Sequence, residues 1–378
     1  MIGIKTNSMI KKTQVHCLGI AVLIIGLMPI MVSAQAPKYS NEFLSIGVGA
    51  RALAMSNSVI ASVNDATAGY WNPAGLTNIQ GNLQVAAMHS EYFAGIAKYD
   101  YGCVATPLDK SSVIAFTLIR FGVDDIPNTL NLVDAAGNVN YNNITSFSVS
   151  NYAFMFSYAR KSKYIGLTYG ANAKIIYQNV GPFANSWGFG LDAGMQYQTG
   201  NWKFGAMFRD ITTTFNAWSY NTSDLAATFA ATGNDIPTNS LEITLPKLLL
   251  GIGNQIHIYG KLTAMPELGM DVTFDGQRNV LVSGNPVSID PHLGIEIGYN
   301  NFLFLRAGVG NIQKVTNFDG TLTRTYQPSM GIGIKIKNLT IDYALTNLNG
   351  IGANNTATDA GLYSNVFSLK LDFYKHKK

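Results

Sequence analysis

The chain has 378 residues, 26 of them Lys or Arg and 22 Asp or Glu, and only 13% is charged, about half the share of an ordinary soluble domain. Lys5, Lys11 and Lys12 fall in the first 34 residues, which hold no acid, so 23 basic residues face 22 acidic ones in the remainder. That balance gives no electrostatic case for nucleic acid, and a single cysteine beyond residue 34, Cys103, excludes an intrachain disulfide there.

Residues 1–34 read as a cleaved secretory signal. Lys11 and Lys12 precede an apolar run from Cys17 to Val32, broken by Pro29, and Val32-Ser33-Ala34 is a small-residue cleavage site. The mature chain then starts near Gln35. A retained anchor is the competing reading, opposed by the short apolar run and the polar sequence that follows.

Residues 35–80 are rich in small residues (Gly47, Gly49, Ala50, Ala52, Ala54) and end in Tyr70-Trp71-Asn72-Pro73-Ala74-Gly75-Leu76. With too few apolar residues to fold alone, the segment is expected as a plug inside a larger structure, where small residues let its backbone approach a wall. Pro73 fixes φ and pushes Asn72 extended, so the breaker ends the plug and turns the chain into the first strand. An ordinary periplasmic loop is the other reading.

From residue 81 to 378 the apolar residues repeat with period two. Leu293, Ile295, Ile297 and Tyr299 alternate with His292, Gly294, Glu296 and Gly298; Met330, Ile332, Ile334 and Ile336 alternate with Gly331, Gly333, Lys335 and Lys337. Fourteen strands are expected, at about 83–91, 97–106, 111–120, 145–158, 163–178, 186–198, 202–210, 241–258, 263–274, 289–299, 302–310, 327–336, 339–346 and 364–374. Alternation alone fits a sandwich as well as a barrel. The connections decide: those after even-numbered strands are short, and those after odd-numbered ones are mostly long (121–144, 179–185, 211–240, 275–288, 311–326, 347–363). Sorting by parity is what a transmembrane antiparallel barrel requires, with tight periplasmic turns and larger external loops. The expected fold is therefore all-β, a barrel of about fourteen strands at 81–378 whose lumen holds the 35–80 hatch, in the outer membrane and in contact with its lipid.

Phe43-Leu44-x-Ile46-Gly47-x-Gly49-Ala50-Arg51-Ala52, a spaced Asp65-Ala66 and the 70–76 motif resemble the N-terminal signature of the PorV/PorQ proteins of the type IX secretion system of Bacteroidota. The Asn-Pro-Ala is also similar to the hatch motif of FadL-type transporters. The first resemblance implies an adaptor that receives exported proteins by their C-terminal signal domains, or caps the translocon. The second implies a transporter of hydrophobic small molecules. One departure stands out: Gly47-Val48-Gly49 occupies the place of a Ser-Pro-Asp before the Ala-Arg of PorV, so the resemblance covers PorV proper and a paralogue with another cargo or partner alike.

No catalytic constellation, cofactor motif or metal spacing appears. The Gly188-x-Gly190, Gly251-x-Gly253 and Gly331-x-Gly333 pairs precede no helix, and so are wall glycines and not nucleotide loops. An enzyme is not expected. The inward charges have both signs (Lys174, Arg209, Asp271, Glu296, Arg306, Lys335, Asp342, Lys370 and Asp372), which predicts a paired interior and not an ion-selective pore. An Arg in a confined site needs a counter-charge, so Arg51 is expected to meet a wall carboxylate, with Asp271, Glu296 and Asp342 as candidates. Partner binding is assigned to the external loops, above all 211–240 and 347–363. Phe215, Trp218, Tyr220 and Phe229 in the first of these read as interface anchors or as an aromatic girdle.

Overall fold

The computed structural model describes residues 40–374, apart from 134–136, most of 224–239, 317–319, 348–350 and 353–362. The expected signal segment lies outside the described residues.

Fourteen antiparallel strands close into one barrel. In chain order these are β1 Leu83–Tyr92, β2 Ala97–Pro107, β3 Ser112–Asn128, β4 Thr145–Lys161, β5 Leu167–Val180 and β6 Ala184–Thr199. Next come β7 in two segments (Trp202–Arg209 and Thr214–Tyr220), β8 in two segments (Ser240–Thr244 and Lys247–Asn254), β9 Leu262–Thr273 and β10 Ser288–Tyr299. The last four are β11 Leu303–Thr316, β12 Leu322–Ile336, β13 Leu339–Asn347 and β14 Tyr363–Phe373. Each strand pairs with its sequence neighbours, and β1 closes the ring on β14 from Leu83↔Phe373 to Glu91↔Asn365. Closure matters in lipid, because an open edge would leave backbone groups without partners.

Alternation puts the two faces where the sequence placed them. Phe116, Phe156, Phe189, Leu293, Leu305 and Leu369 point outward and are exposed, as lipid-facing residues are in the absence of lipid. Asn172, Lys174, Asp192, Glu267, Arg306 and Asp372 point inward and are buried. The strands run past the expected boundaries at the end with the longer loops. β3 reaches Asn128, β6 starts at Ala184, β11 reaches Thr316 and β12 starts at Leu322, so the loops expected at 121–144, 179–185 and 311–326 are partly strand. A membrane span needs only about 9–11 residues, so strands of up to 17 residues project beyond it.

The largest difference concerns β7. Instead of ending at residue 210, it breaks at 210–213 and resumes at Thr214–Tyr220, paired with β6 and with the first segment of β8. Asp210 (φ 58°) and Thr213 (φ 60°) make the break. A buried ion cluster pins it: Lys174 Nζ lies 2.8 Å from Asp192 and 2.5 Å from Asp210, with both its partners buried. The run Thr212-Thr213 and the polar residues around it hide this continuation from a period-two reading.

Residues 40–82 fill the lumen. A short helix, α1 (Ala50–Ala54), follows Gly49, whose φ of 84° a side chain would strain. Three of its five residues are Ala, the best helix former. After α2 (Ala68–Trp71) a 3-10 turn, Pro73–Asn78, leads down to β1. Met55, Val59, Ile60, Ala66 and Leu76 are buried against the wall. Burial of the larger of these contributes about 1.5–3 kcal/mol each, which the isolated segment could not obtain.

Candidate functional site

The site is built where the hatch meets the wall. Asn72 is its clearest polar element. The side chain accepts from the Ala74 N–H, capping the 3-10 turn that Pro73 opens at its first position. Its amide also donates to the Ile60 carbonyl at 3.1 Å and to the Met195 carbonyl of β6 at 3.0 Å. Asn72 therefore does more than the expected chain-breaking: it ties two turns of the hatch to the barrel. The wall makes room for it by glycine. A Cβ on Gly194 would sit 2.2 Å from Asn72 Oδ1, and one on Gly205 would sit 2.3 Å from the Ile60 carbonyl oxygen. Gln196 adds two donations, to the carbonyls of Ile60 and Val63, both at 3.0 Å. Trp71, buried, donates to the Val48 carbonyl at 2.8 Å, and its ring meets Tyr70 edge-on at 4.8 Å. Pro73 and Ala74 are buried beneath Gly170 of β5.

The opposite side of the hatch is held by charge. Arg51 Nε lies 2.9 Å from Glu296 Oε2, so of the three carboxylates expected from sequence Glu296 is the partner. Asp342 is one step removed: Arg306 bridges Glu296 at 2.6 Å and Asp342 at 2.6 Å. Asp271 belongs elsewhere, 3.3 Å from His292 Nε2, while His292 Nδ1 meets Ser58 Oγ at 2.8 Å. A second hatch-to-wall ion pair, Asp65 with Lys370 at 2.8 Å, was not expected. Its signal was present, since Asp65 is part of the hatch motif and Lys370 alternates inward, but spacing cannot pair residues 305 positions apart. Burial works to raise the Asp65 carboxyl; the Lys370 ammonium, the Thr67 hydroxyl and the Arg51 guanidinium together outweigh it and hold the group well below the usual carboxylate range. Gln84 joins the same edge, accepting from the Ala66 N–H and donating to Asp372, each at 2.5 Å. Arg209 donates to the Tyr70 carbonyl at 3.2 Å and lies over the Tyr70 ring.

Above the hatch, at the end with the long loops, is a cavity of about 660 Å³. One side is apolar, formed by Tyr92, Phe93 and Phe121 of the wall with Ile46, Leu53 and Trp71 of the hatch. The other side carries Lys247, Arg209, Asp271, Asp290 and His292. The apolar half escapes a sequence reading of the lumen as Gly and charge, because half of it comes from the hatch and the rest from strand tops that read as loop. Below the hatch, a cavity of about 730 Å³ is lined by Asn64, Asn78, Gln196, Gln198, Lys161 and Lys203 among others. The hatch separates the two.

Three of the four aromatics assigned to the 211–240 loop are in β7. Phe215 faces outward against Phe189, with ring centroids 6.5 Å apart. Trp218 and Tyr220 stack at 6.2 Å on the other face, and Trp218 donates to Glu242 at 2.7 Å. Phe229 does lie in the loop after β7 and is half-buried. Most of 347–363 lies outside the described residues.

No protein-family model matches the sequence, and no curated protein matches it. Solved structures do match over nearly the whole barrel. The CymD monoaromatic hydrocarbon channel aligns with a TM-score of 0.56 at 14% identity, over 88% of this chain and 99% of its own. The Pseudomonas putida toluene transporter TodX aligns at 0.54 and 14%, over 86% and 98%. A Pseudomonas aeruginosa FadL homologue aligns at 0.50 and 13%, over 86% and 98%. The fold is that of FadL-like outer-membrane barrels, and the chain is a protein of the bacterial outer membrane. None of these structures is named as a secretion component, so the type IX resemblance of the hatch motif finds no support among them.

Proposed function

We propose that this barrel passes hydrophobic small molecules across the outer membrane by way of the cavity above its hatch. The observation that carries the reading is the apolar half of that cavity, Tyr92, Phe93 and Phe121 facing Ile46, Leu53 and Trp71. Concave, mostly pre-formed apolar surface with a few polar groups is how small ligands are held. The names of the structures with this fold, channels and transporters for monoaromatic hydrocarbons, support it. Passage requires the hatch to yield, since it separates the two cavities.

Uptake of a fluorescent hydrophobic probe into proteoliposomes tests the reading. The Ser56 and Ser329 hydroxyls are 2.8 Å apart across the hatch–wall seam. A double variant with Cys at both positions, oxidised, is expected to lower uptake to the level of empty liposomes and to recover on reduction. Equal uptake by empty, wild-type and cross-linked vesicles would remove the proposal.

A second reading keeps the adaptor role, with a translocon or exported proteins bearing C-terminal signal domains as partners. Its support is the 43–76 residue pattern. With Phe215, Trp218 and Tyr220 in the barrel, the docking surface it needs reduces to the loops after β7 and β13. Co-purification from native membranes tests it: recovery of the barrel without any secretion component sets it aside.

A further inference from the structure

The two ends of the barrel treat charge differently. At the end with the long loops cations and anions are interspersed and paired: Lys98 meets Asp124 at 3.3 Å, Arg120 meets Asp100 at 3.4 Å, and Arg278 meets Asp275. The turns at the other end, 108–111, 162–166, 200–201, 255–261, 300–302 and 337–338, carry one acid, Asp109. That carboxylate is turned onto its own turn, accepting from the Ser111 N–H at 2.6 Å and the Ser112 N–H at 2.8 Å. Those bonds, the Ser111 N–H first, hold it at a pKa of about 2.

Against it stand Lys110, Arg160, Lys163, Lys261 and Lys337, all exposed. Among the described residues none of the five takes part in an ion pair. The four lysines occupy four of the six turns and Arg160 stands at the end of β4, so the positive charge is spread around the ring. Arg160 shares the outward face of β4 with exposed Phe156 and Tyr158, which places its stem against lipid. Lys163 sits over the exposed Tyr164 ring at 5.5 Å.

The height of these cations follows from the aromatics beside them. Trp202, Tyr197 and Phe204 form an exposed stack at the same end, with centroids 6.4 Å apart in each pair, and Tyr299 is exposed there too. Trp and Tyr collect at the membrane–water interface. Lys and Arg just beyond such a belt lay their stems on apolar surface and put their charges among the headgroups. A ring of unpaired cations at that depth is complementary to phosphate-bearing anions.

We infer that the periplasmic rim is a binding surface for acidic phospholipid headgroups of the inner leaflet, with Lys110, Arg160, Lys163, Lys261 and Lys337 as its ligands. The surface stands on the barrel and its turns, and so is independent of what the lumen carries. Arg160 can form two parallel bonds to one phosphate, and the lysines act as point charges on flexible stems.

The experiment uses the mature protein in nanodiscs of phosphatidylcholine mixed with a minority of phosphatidylglycerol. Native mass spectrometry reads which lipid stays bound. The wild type is expected to retain phosphatidylglycerol several-fold over its share of the bilayer, at about fivefold per engaged cation in low salt, with the preference shrinking as salt rises. A variant with Gln at all five positions, shown to be folded by heat-modifiable gel mobility, should retain the two lipids in proportion to the mixture. If that variant does not fold, the single variants and the wild-type salt series carry the test. No phosphatidylglycerol preference in the wild type, or the same preference in the folded variant, overturns the proposal. Binding of a soluble poly-glutamate peptide without any lipid preference also overturns it, in favour of an acidic protein partner.

Discussion

The hatch is held by two unlike surfaces. Towards β5–β8 it docks side chain to backbone, with the Asn72 and Gln196 amides donating to carbonyls and wall glycines clearing the way. Towards β10–β14 it docks through charge, Arg51 on Glu296 and Asp65 on Lys370. The first surface depends on shape and tolerates no added volume. The second depends on the balance of buried charges, and so responds to pH and to the loss of either partner.

The comparison breaks first at Glu296. It holds both Arg51 and Arg306, whose side chain is only 3% exposed. Glu296→Ala leaves two buried cations short of a partner and is expected to cost about 3–5 kcal/mol, seen as a lower unfolding temperature and proteolysis of the hatch in intact barrels. Arg51→Ala should cost less, about 1–3 kcal/mol, because Glu296 keeps Arg306. Equal losses in the two variants would mean that Arg306 does not depend on Glu296.

The rigid side breaks next. Gly205→Ala puts a methyl group 2.3 Å from the Ile60 carbonyl oxygen, and overpacking of that kind costs about 1–3 kcal/mol. Asn72→Ala removes the donations to Ile60 and Met195 and the cap on Ala74, for about 1–3 kcal/mol. Protease sensitivity of the hatch, with heat-modifiability retained, separates this local loosening from failure of the barrel.

The charged side should also loosen with acid, and the rigid side should not. The Asp65 carboxyl is depressed in the folded protein. Its contribution is therefore complete above the unfolded carboxylate value of about 4 and is lost as the pH falls below that towards the folded value. Hatch proteolysis in wild type is expected to rise below about pH 4 and to be flat from pH 5 to 8. Asp65→Asn should reduce that acid-dependent step, leaving the part carried by the Arg51–Glu296 pair. An unchanged acid profile in the variant would place the sensitivity elsewhere.

The smallest effect is at Phe215. Facing lipid beside Phe189, it is expected to tolerate Leu with a change under about 1.5 kcal/mol. Substitution by Asp should impair membrane insertion, as a charge on the lipid face does. An Asp variant that inserts normally would return this residue to a solvent-exposed loop.

The barrel was legible because its signals are local. Alternation along Leu293–Tyr299 or Met330–Ile336 needs only neighbours in sequence, since successive side chains of any strand point to opposite faces. Loop parity follows from the topology of a closed antiparallel barrel, and a segment rich in Gly and Ala with a rigid Asn-Pro cannot bury enough surface to stand alone. The break in β7 was not legible, because Thr212-Thr213 carries no alternation and the Lys174–Asp192–Asp210 cluster that holds it joins three strands. Partner choice was not legible either. Three carboxylates face inward on the same grounds, and only the curvature of the wall and the path of the hatch bring Glu296, and not Asp271, within 2.9 Å of Arg51. The same holds for the cavity, whose apolar half is assembled from Trp71 and Leu53 of the hatch and Tyr92 and Phe121 of the wall. Sequence determines which way each side chain faces, since that is a property of the strand; which side chains meet across the lumen depends on closure of the ring, a property of the whole chain.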